Sequence, residues 1–342
     1  MRVASITAAV VTLLAWAAQA ETMPVSGESL VLAGTTPGRL WFEAIQPESV
    51  VVRSTYLPNQ EGTTVYEAGR DYVLDVDAGT LARTADSRIP DFSKNPLYGQ
   101  QEFDHTKFPG YGNGPYFVFV DYTAKDGAAL CAPSDQTALL AGTRKKLEAG
   151  GPFKLLAYGD SITAGGEATS VPLRFQQRYA ACLRERFPQA EITVENGATG
   201  GDTTRNGLAR LEEKVLTRAP DLVLIGFGMN DHNVGSVPLD EFKKNLLDMI
   251  AQIRDRTGAE VMLFSAFPPN PAWKFGSHRM EQYAAATRET AVEAECAFAD
   301  VYGTWMQVLA RKDTESLLGN NINHPNDFGH WIYFEALKAV RF

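Results

Sequence analysis

The sequence predicts an α/β protein in two unequal parts, a small all-β sandwich followed by a parallel sheet covered by helices on both faces. Residues 21 to about 123 hold short runs of β-branched and aromatic side chains without a helical period. From residue 153 onward, apolar strand runs alternate with helical stretches. Such alternation is the mark of βαβ units, which bury a parallel sheet under helices. The length of 342 residues with 44% hydrophobic side chains is enough for two cores on ordinary domain sizes.

The elements follow in order. Residues 1–20, MRVASITAAVVTLLAWAAQA, place Arg2 before an apolar run and end in Ala18-Gln19-Ala20. That is the shape of a cleavable signal peptide, and the run is short for a bilayer span. Export to a periplasm or the medium is expected, and with no cysteine after the cleavage site, no lipid anchor there. Residues 21–130 form the β-rich part, with strand runs RLWFEAI (39–45), SVVVRSTY (49–56), DYVLDVDAGTLART (71–84) and PYFVFVDYT (115–123). Asp77-Ala78-Gly79-Thr80 reads as a hairpin turn within the third run. The Gly/Pro/aromatic stretch from Asn95 to Gly114 reads as a long loop. Residues 131–152 form a helical connector. Residues 153–342 carry the strand runs KLLAYGD, EITVENG, DLVLIGFG, EVMLFSAF and CAFADVY. Between the third and fourth of these, Phe242, Leu246, Met249, Ile250 and Ile253 fall on one face of a helix.

Composition narrows the function. A formal charge of −9 argues against a nucleic-acid partner, which calls for a basic face. Cys131, Cys182 and Cys296 are an odd set without close spacing, so buried free thiols are expected rather than a disulfide scaffold. The five histidines show no paired ligand spacing. Neither metal nor cofactor is expected.

Ligands of doubly covered parallel sheets gather at the carboxyl ends of the strands, and polar residues stand at several of these ends. Ser161 follows LLAY in GDSIT; it reads as a turn serine or as a nucleophile awaiting a base. Gly200-Gly201 follow EITV and leave backbone N–H groups open to a ligand, while Asp202, Thr203 and Thr204 suit a helix N-cap. Asn230 in GMND is a neutral amide donor at a strand end, with Asp231 placed to hold its loop. His324-Pro325 precede an amphipathic C-terminal helix, and imidazole is the natural base near neutral pH.

Taken in order, Ser161 in GDSIT, Gly201 in GGDTT, Asn230 in GMND and His324 in NHP resemble the SGNH (GDSL) hydrolase superfamily, over residues 153–342. The resemblance implies a flavodoxin-like α/β/α fold and ester hydrolysis through an acyl-enzyme. Ser161 would be nucleophile and His324 base, and the Ser161 and Gly201 N–H groups with the Asn230 amide would form an oxyanion hole. The family places an aspartate three residues before the histidine, where this chain has Asn321. Asn321 or a backbone carbonyl is then expected to orient His324, with Asp327 and Asp160 as alternatives from elsewhere and a degenerate site as another.

Trp273 and His278, in a loop beyond another strand end, could contact substrate or simply pack. His330 reads as structural. The aromatics Tyr98, Phe103, Phe108 and Tyr111 suit either sugar stacking or interdomain packing. The two-part layout is similar to that of carbohydrate esterases in which a β-sandwich precedes an SGNH domain, which points to acetyl esters on carbohydrate. Lipase or thioesterase chemistry, and a glycan-binding protein without turnover, are the alternatives. The oligomeric state is not legible.

Overall fold

The computed structural model describes residues 22–125, 129–233 and 235–342. The N-terminal run with Ala18-Gln19-Ala20 lies outside the described residues.

The C-terminal part is built on five parallel strands: β9 (Gly151–Gly159), β10 (Ala190–Asn196), β11 (Leu222–Gly226), β12 (Glu260–Phe264) and β13 (Ala297–Ala299), in the order β10-β9-β11-β12-β13. Counted within the sheet this is 2-1-3-4-5, the flavodoxin-like order. Leu155, Leu156, Ala157 and Tyr158 are all fully buried, as a strand covered on both faces requires. Tyr158 pairs in register with Ile225, and Ile225 with Leu263. On that face the Tyr158 hydroxyl donates to the Gly207 carbonyl of α3 (Thr204–Lys214). Phe264, one residue beyond Leu263, turns to the opposite face and meets Phe175 of α2 (Phe175–Arg186) edge-on. Helices α3, α4 (Leu239–Thr257) and α5 (Met280–Glu293) pack together as one layer; α2, α6 (Val301–Leu309) and α7 (Asp327–Lys338) pack together as the other. The apolar face read on α4 is buried as expected: Phe242, Leu246, Met249, Ile250 and Ile253 are all within the core.

The N-terminal part is antiparallel. One sheet pairs β1 (Met23–Leu30), β7 (Val118–Ala124), β3 (Val51–Arg53) and β4 (Val65–Tyr66); a second pairs β2 (Gly38–Arg39), β6 (Thr80–Arg83) and β5 (Tyr72–Asp75). The hairpin read at residues 77–80 joins β5 to β6. RLWFEAI is mostly not a strand. After Arg39 the chain leaves the sheet, and it regains one bridge at Ile45, because Glu28 and Tyr122 take the backbone N–H groups of Trp41 and Phe42. β1 is the strand that periodicity left undefined. It ties the two parts together: Ser29 donates to the Ser316 carbonyl (2.6 Å), and Asn326 donates to the Ser29 hydroxyl (3.0 Å). One continuous apolar core runs through both parts. All three cysteines are free thiols, with Cys296 buried. No described helix is long and apolar enough to cross a membrane.

Candidate active site

Ser161 stands where β9 ends, next to the central crossover of the sheet. Gly200 and Gly201 follow β10, and Asn230 follows β11, so with Ser161 they lie over the ends of three neighbouring parallel strands, where the strand order reverses. The turn after β9 is held from inside. Asp160 is fully buried and its Oδ1 accepts the Ile162 N–H at 3.0 Å. Burial pushes the Asp160 carboxyl up to about 7, and the charges of Asp231 and Asp202 push the same way. Gly200 lies against Ser161: a Cβ built on it would come 3.8 Å from the serine Cβ. Gly201 adopts a left-handed backbone (φ 79), which a residue with a side chain adopts only under strain.

The loop after Gly201 is fixed by buried acids. Asp231 Oδ1 accepts the N–H and hydroxyl of Thr204 at 2.8 and 2.6 Å, and its Oδ2 accepts the Gly228 N–H. Asp231 thus fastens the start of α3 to the β11 loop, the holding role read from sequence. Thr203 and Asn206 close a capping box at the same helix end. Asp202 pairs with Arg210. Asn230 Nδ2 donates to the Asp202 carbonyl at 2.9 Å, which places the amide beside Gly201.

His324 arrives on a tight loop closed by the Leu318–Pro325 bridge and by the Gly319 N–H donated to the His324 carbonyl. Its Nε2 lies 2.7 Å from Ser161 Oγ. Both side chains are half-buried and so remain reachable from solvent. Burial lowers the basicity of the imidazole below the ordinary histidine value. A serine hydroxyl at hydrogen-bond distance from an imidazole can be deprotonated as it attacks an electrophile.

The group that orients this imidazole is not Asn321. Asn321 has a left-handed backbone (φ 58), and its buried side chain accepts from Asn270 Nδ2 at 3.1 Å. The preceding residue faces the ring instead, with Asn320 Nδ2 3.0 Å from His324 Nδ1. Nor do the alternative acids reach it. Both Asp327 oxygens take the N–H and hydroxyl of Thr169, and Asp160 points into the turn below. The D-x-x-H spacing points to Asn321, and only the fold brings Asn320, one residue earlier, to the ring.

Trp273 packs rather than projecting. It is buried with Leu97, Phe103 and Ile322, and its Nε1 donates to His105 Nδ1 at 3.1 Å. Phe103 bridges to Trp273 across the 95–114 loop, so that loop is anchored on the second part of the chain. His278 is exposed, beside a cavity lined by Pro268, Pro269 and Tyr302. His330 is fully buried, stacked on Phe175 and bonded to the Gly166 carbonyl.

The model of the GDSL-like Lipase/Acylhydrolase family matches residues 157–332, just over half of the chain. An arylesterase of Vibrio mimicus is 37% identical over 119 residues, which cover 34% of this chain and 56% of that protein. The chain therefore spans little more than half the length of that relative. An acetylxylan esterase of Geobacillus stearothermophilus is 25% identical over 214 residues, 57% of this chain and 97% of that enzyme. The crystal structure of Axe2, an acetylxylan esterase from the same organism, aligns with a TM-score of 0.49 at 25% identity, over 57% of this chain and 97% of that one. With the family model covering the stretch from β9 to α7, the chain belongs to the GDSL-like lipase/acylhydrolase family.

Proposed function

We propose that this protein is an exported serine esterase that removes acetyl groups from carbohydrate through an acyl-enzyme on Ser161. The observation that carries the reading is the 2.7 Å contact between His324 Nε2 and Ser161 Oγ at the crossover of the sheet. In this reading Nε2 takes the serine proton as Oγ attacks the ester carbonyl. The imidazolium then delivers that proton to the leaving alcohol, and water repeats the cycle to release the acid. The N–H groups of Ser161 and Gly201 and the Asn230 amide hold the developing oxyanion. The acetyl and carbohydrate parts draw on the acetylxylan esterase, nearly the whole length of which this chain covers. Export draws on the N-terminal run ending in Ala18-Gln19-Ala20.

The test is release of p-nitrophenol from acetate and longer esters, and of acetate from acetylated xylan, by wild type and Ser161→Ala. The expected result is acetate preference abolished by the substitution. Preference for long acyl chains moves the reading to a lipase or thioesterase. A Ser161→Ala protein as active as wild type rejects Ser161 as nucleophile.

A further inference from the structure

Asn320 stands at the centre of the loop that carries His324. Its Oδ1 accepts the N–H groups of Ile322, Asn323 and His324 at 3.0, 2.9 and 2.9 Å. Its Nδ2 is left to face His324 Nδ1 at 3.0 Å, and it also donates to Asn323 Oδ1 at 3.1 Å. The direction of an amide is read from its partners. Here three N–H groups converge on one end, and only an oxygen can meet them. Turning the amide over would offer Nδ1 an acceptor but set those three N–H groups against an NH2.

The imidazole is therefore offered a donor on Nδ1. A neutral ring has one N–H and one bare nitrogen. If Nδ1 accepts, the ring proton sits on Nε2 and points at Ser161 Oγ, and a ring in that form cannot take the serine proton. The titratable groups of the neighbouring elements are engaged elsewhere and do not alter this. His330 on α7 bonds the Gly166 carbonyl, Asp327 bonds Thr169, Asp160 bonds the Ile162 N–H, and Glu167 leans over Gly319.

We propose that Asn320 is the positioning residue of His324 and that it holds the resting ring as the Nε2–H tautomer, which restrains turnover. The inference rests on Ser161 as nucleophile and His324 as base. Catalysis then proceeds through the other tautomer, reached only as the Asn320 amide gives way. A carboxylate in the same place would accept the three N–H groups on one oxygen and Nδ1–H on the other. In a serine protease, exchanging such a carboxylate for an amide lowers kcat about 10⁴-fold through the wrong tautomer. Asn320→Asp is the reverse exchange.

The experiment combines 15N NMR of histidine-labelled protein, the His324 ring being assigned with His324→Gln, and pH–rate profiles of wild type and Asn320→Asp. At a pH where His324 is neutral, the wild-type ring is expected to carry its proton on Nε2 and the Asn320→Asp ring on Nδ1. Asn320→Asp is expected to raise kcat at least about tenfold, with about 10⁴-fold as the ceiling. Its acidic limb of kcat/KM should move to higher pH, because a carboxylate beside the ring favours the imidazolium. An Nδ1–H ring in wild type overturns the proposal, as does an Asn320→Asp enzyme that folds yet shows neither the gain nor the shifted limb. If Asn320→Asp does not fold, the wild-type spectrum decides alone. The spectrum needs no turnover, so the two readings fail separately. An Nε2–H ring beside an active Ser161→Ala protein rejects only the nucleophile, and an Nδ1–H ring beside an inactive one rejects only the tautomer.

Discussion

Lys312 Nζ meets Glu28 Oε1 at 2.6 Å with both side chains fully buried, joining β1 to the segment between α6 and the His324 loop. Glu28 also accepts the Trp41 N–H and the Tyr122 hydroxyl, and Lys312 donates to the Arg39 carbonyl. The pair is thus the centre of a polar network inside an otherwise apolar seam. Burial lowers the basicity of Lys312, and the Glu28 carboxylate opposes that fall.

Removing one member of the pair strands the other charge. Lys312→Met is expected to lower the unfolding free energy by about 3–5 kcal/mol, and Glu28→Gln by a similar amount. The double variant should be more stable than the sum of the single losses predicts, because no unpaired charge remains. Urea titrations of the four proteins measure this cycle, and single-variant midpoints equal to wild type would reject it.

Asn230→Ala is expected to lower kcat about 100- to 1000-fold, equivalent to about 2.7–4 kcal/mol of lost oxyanion stabilisation. KM should change little, since the contact strengthens only in the transition state. Steady-state kinetics on p-nitrophenyl acetate read this. A thermal melt accompanies it, because the same amide also donates to the Asp202 carbonyl.

Buried neutral histidines make the fold sensitive to acid. Desolvation lowers His330 to about 3 and His232 to about 4. Below about pH 6.5, the unfolded chain binds protons at these sites that the folded chain refuses. Stability therefore falls as pH drops from about 6.5 toward those values, by up to about 1.4 kcal/mol per pH unit for each group. Above pH 6.5 neither histidine contributes to a pH slope. His330→Gln retains a donor for the Gly166 carbonyl and should flatten part of the slope in urea midpoints taken between pH 7 and 4. An unchanged slope would exclude His330 as its source.

The α/β layout was legible because buried parallel strands read as continuous apolar runs and α4 carries a clean helical face. Ser161, Gly201, Asn230 and His324 were each weak signals singly and became legible through their order in GDSIT, GGDTT, GMND and NHP. The contacts that set their surroundings are another matter. Whether Asn320 or Asn321 faces the ring depends on a left-handed backbone at residue 321 and on Asn270, 51 residues away in sequence. Trp273 packs because Phe103 reaches it across 170 residues. RLWFEAI has the composition of a strand, but its backbone donors are claimed by Glu28 and Tyr122. Local pattern carries no information about partners so distant in sequence.

The bonds between β1 and the loop around Ser316 and Asn326 also bear on how the chain is made. Ser29 and Asn326 are 297 residues apart, and Glu28 and Lys312 are 284 apart. During synthesis β1 leaves the ribosome long before Lys312 or Asn326 exists, so Glu28 and Ser29 wait for these two partners until nearly the whole described chain has emerged. Contacts of such long sequence separation form late and slowly. The segment that carries His324 is therefore completed only when the two ends of the fold meet, and a chain stalled before Lys312 is translated holds Ser161 without its imidazole.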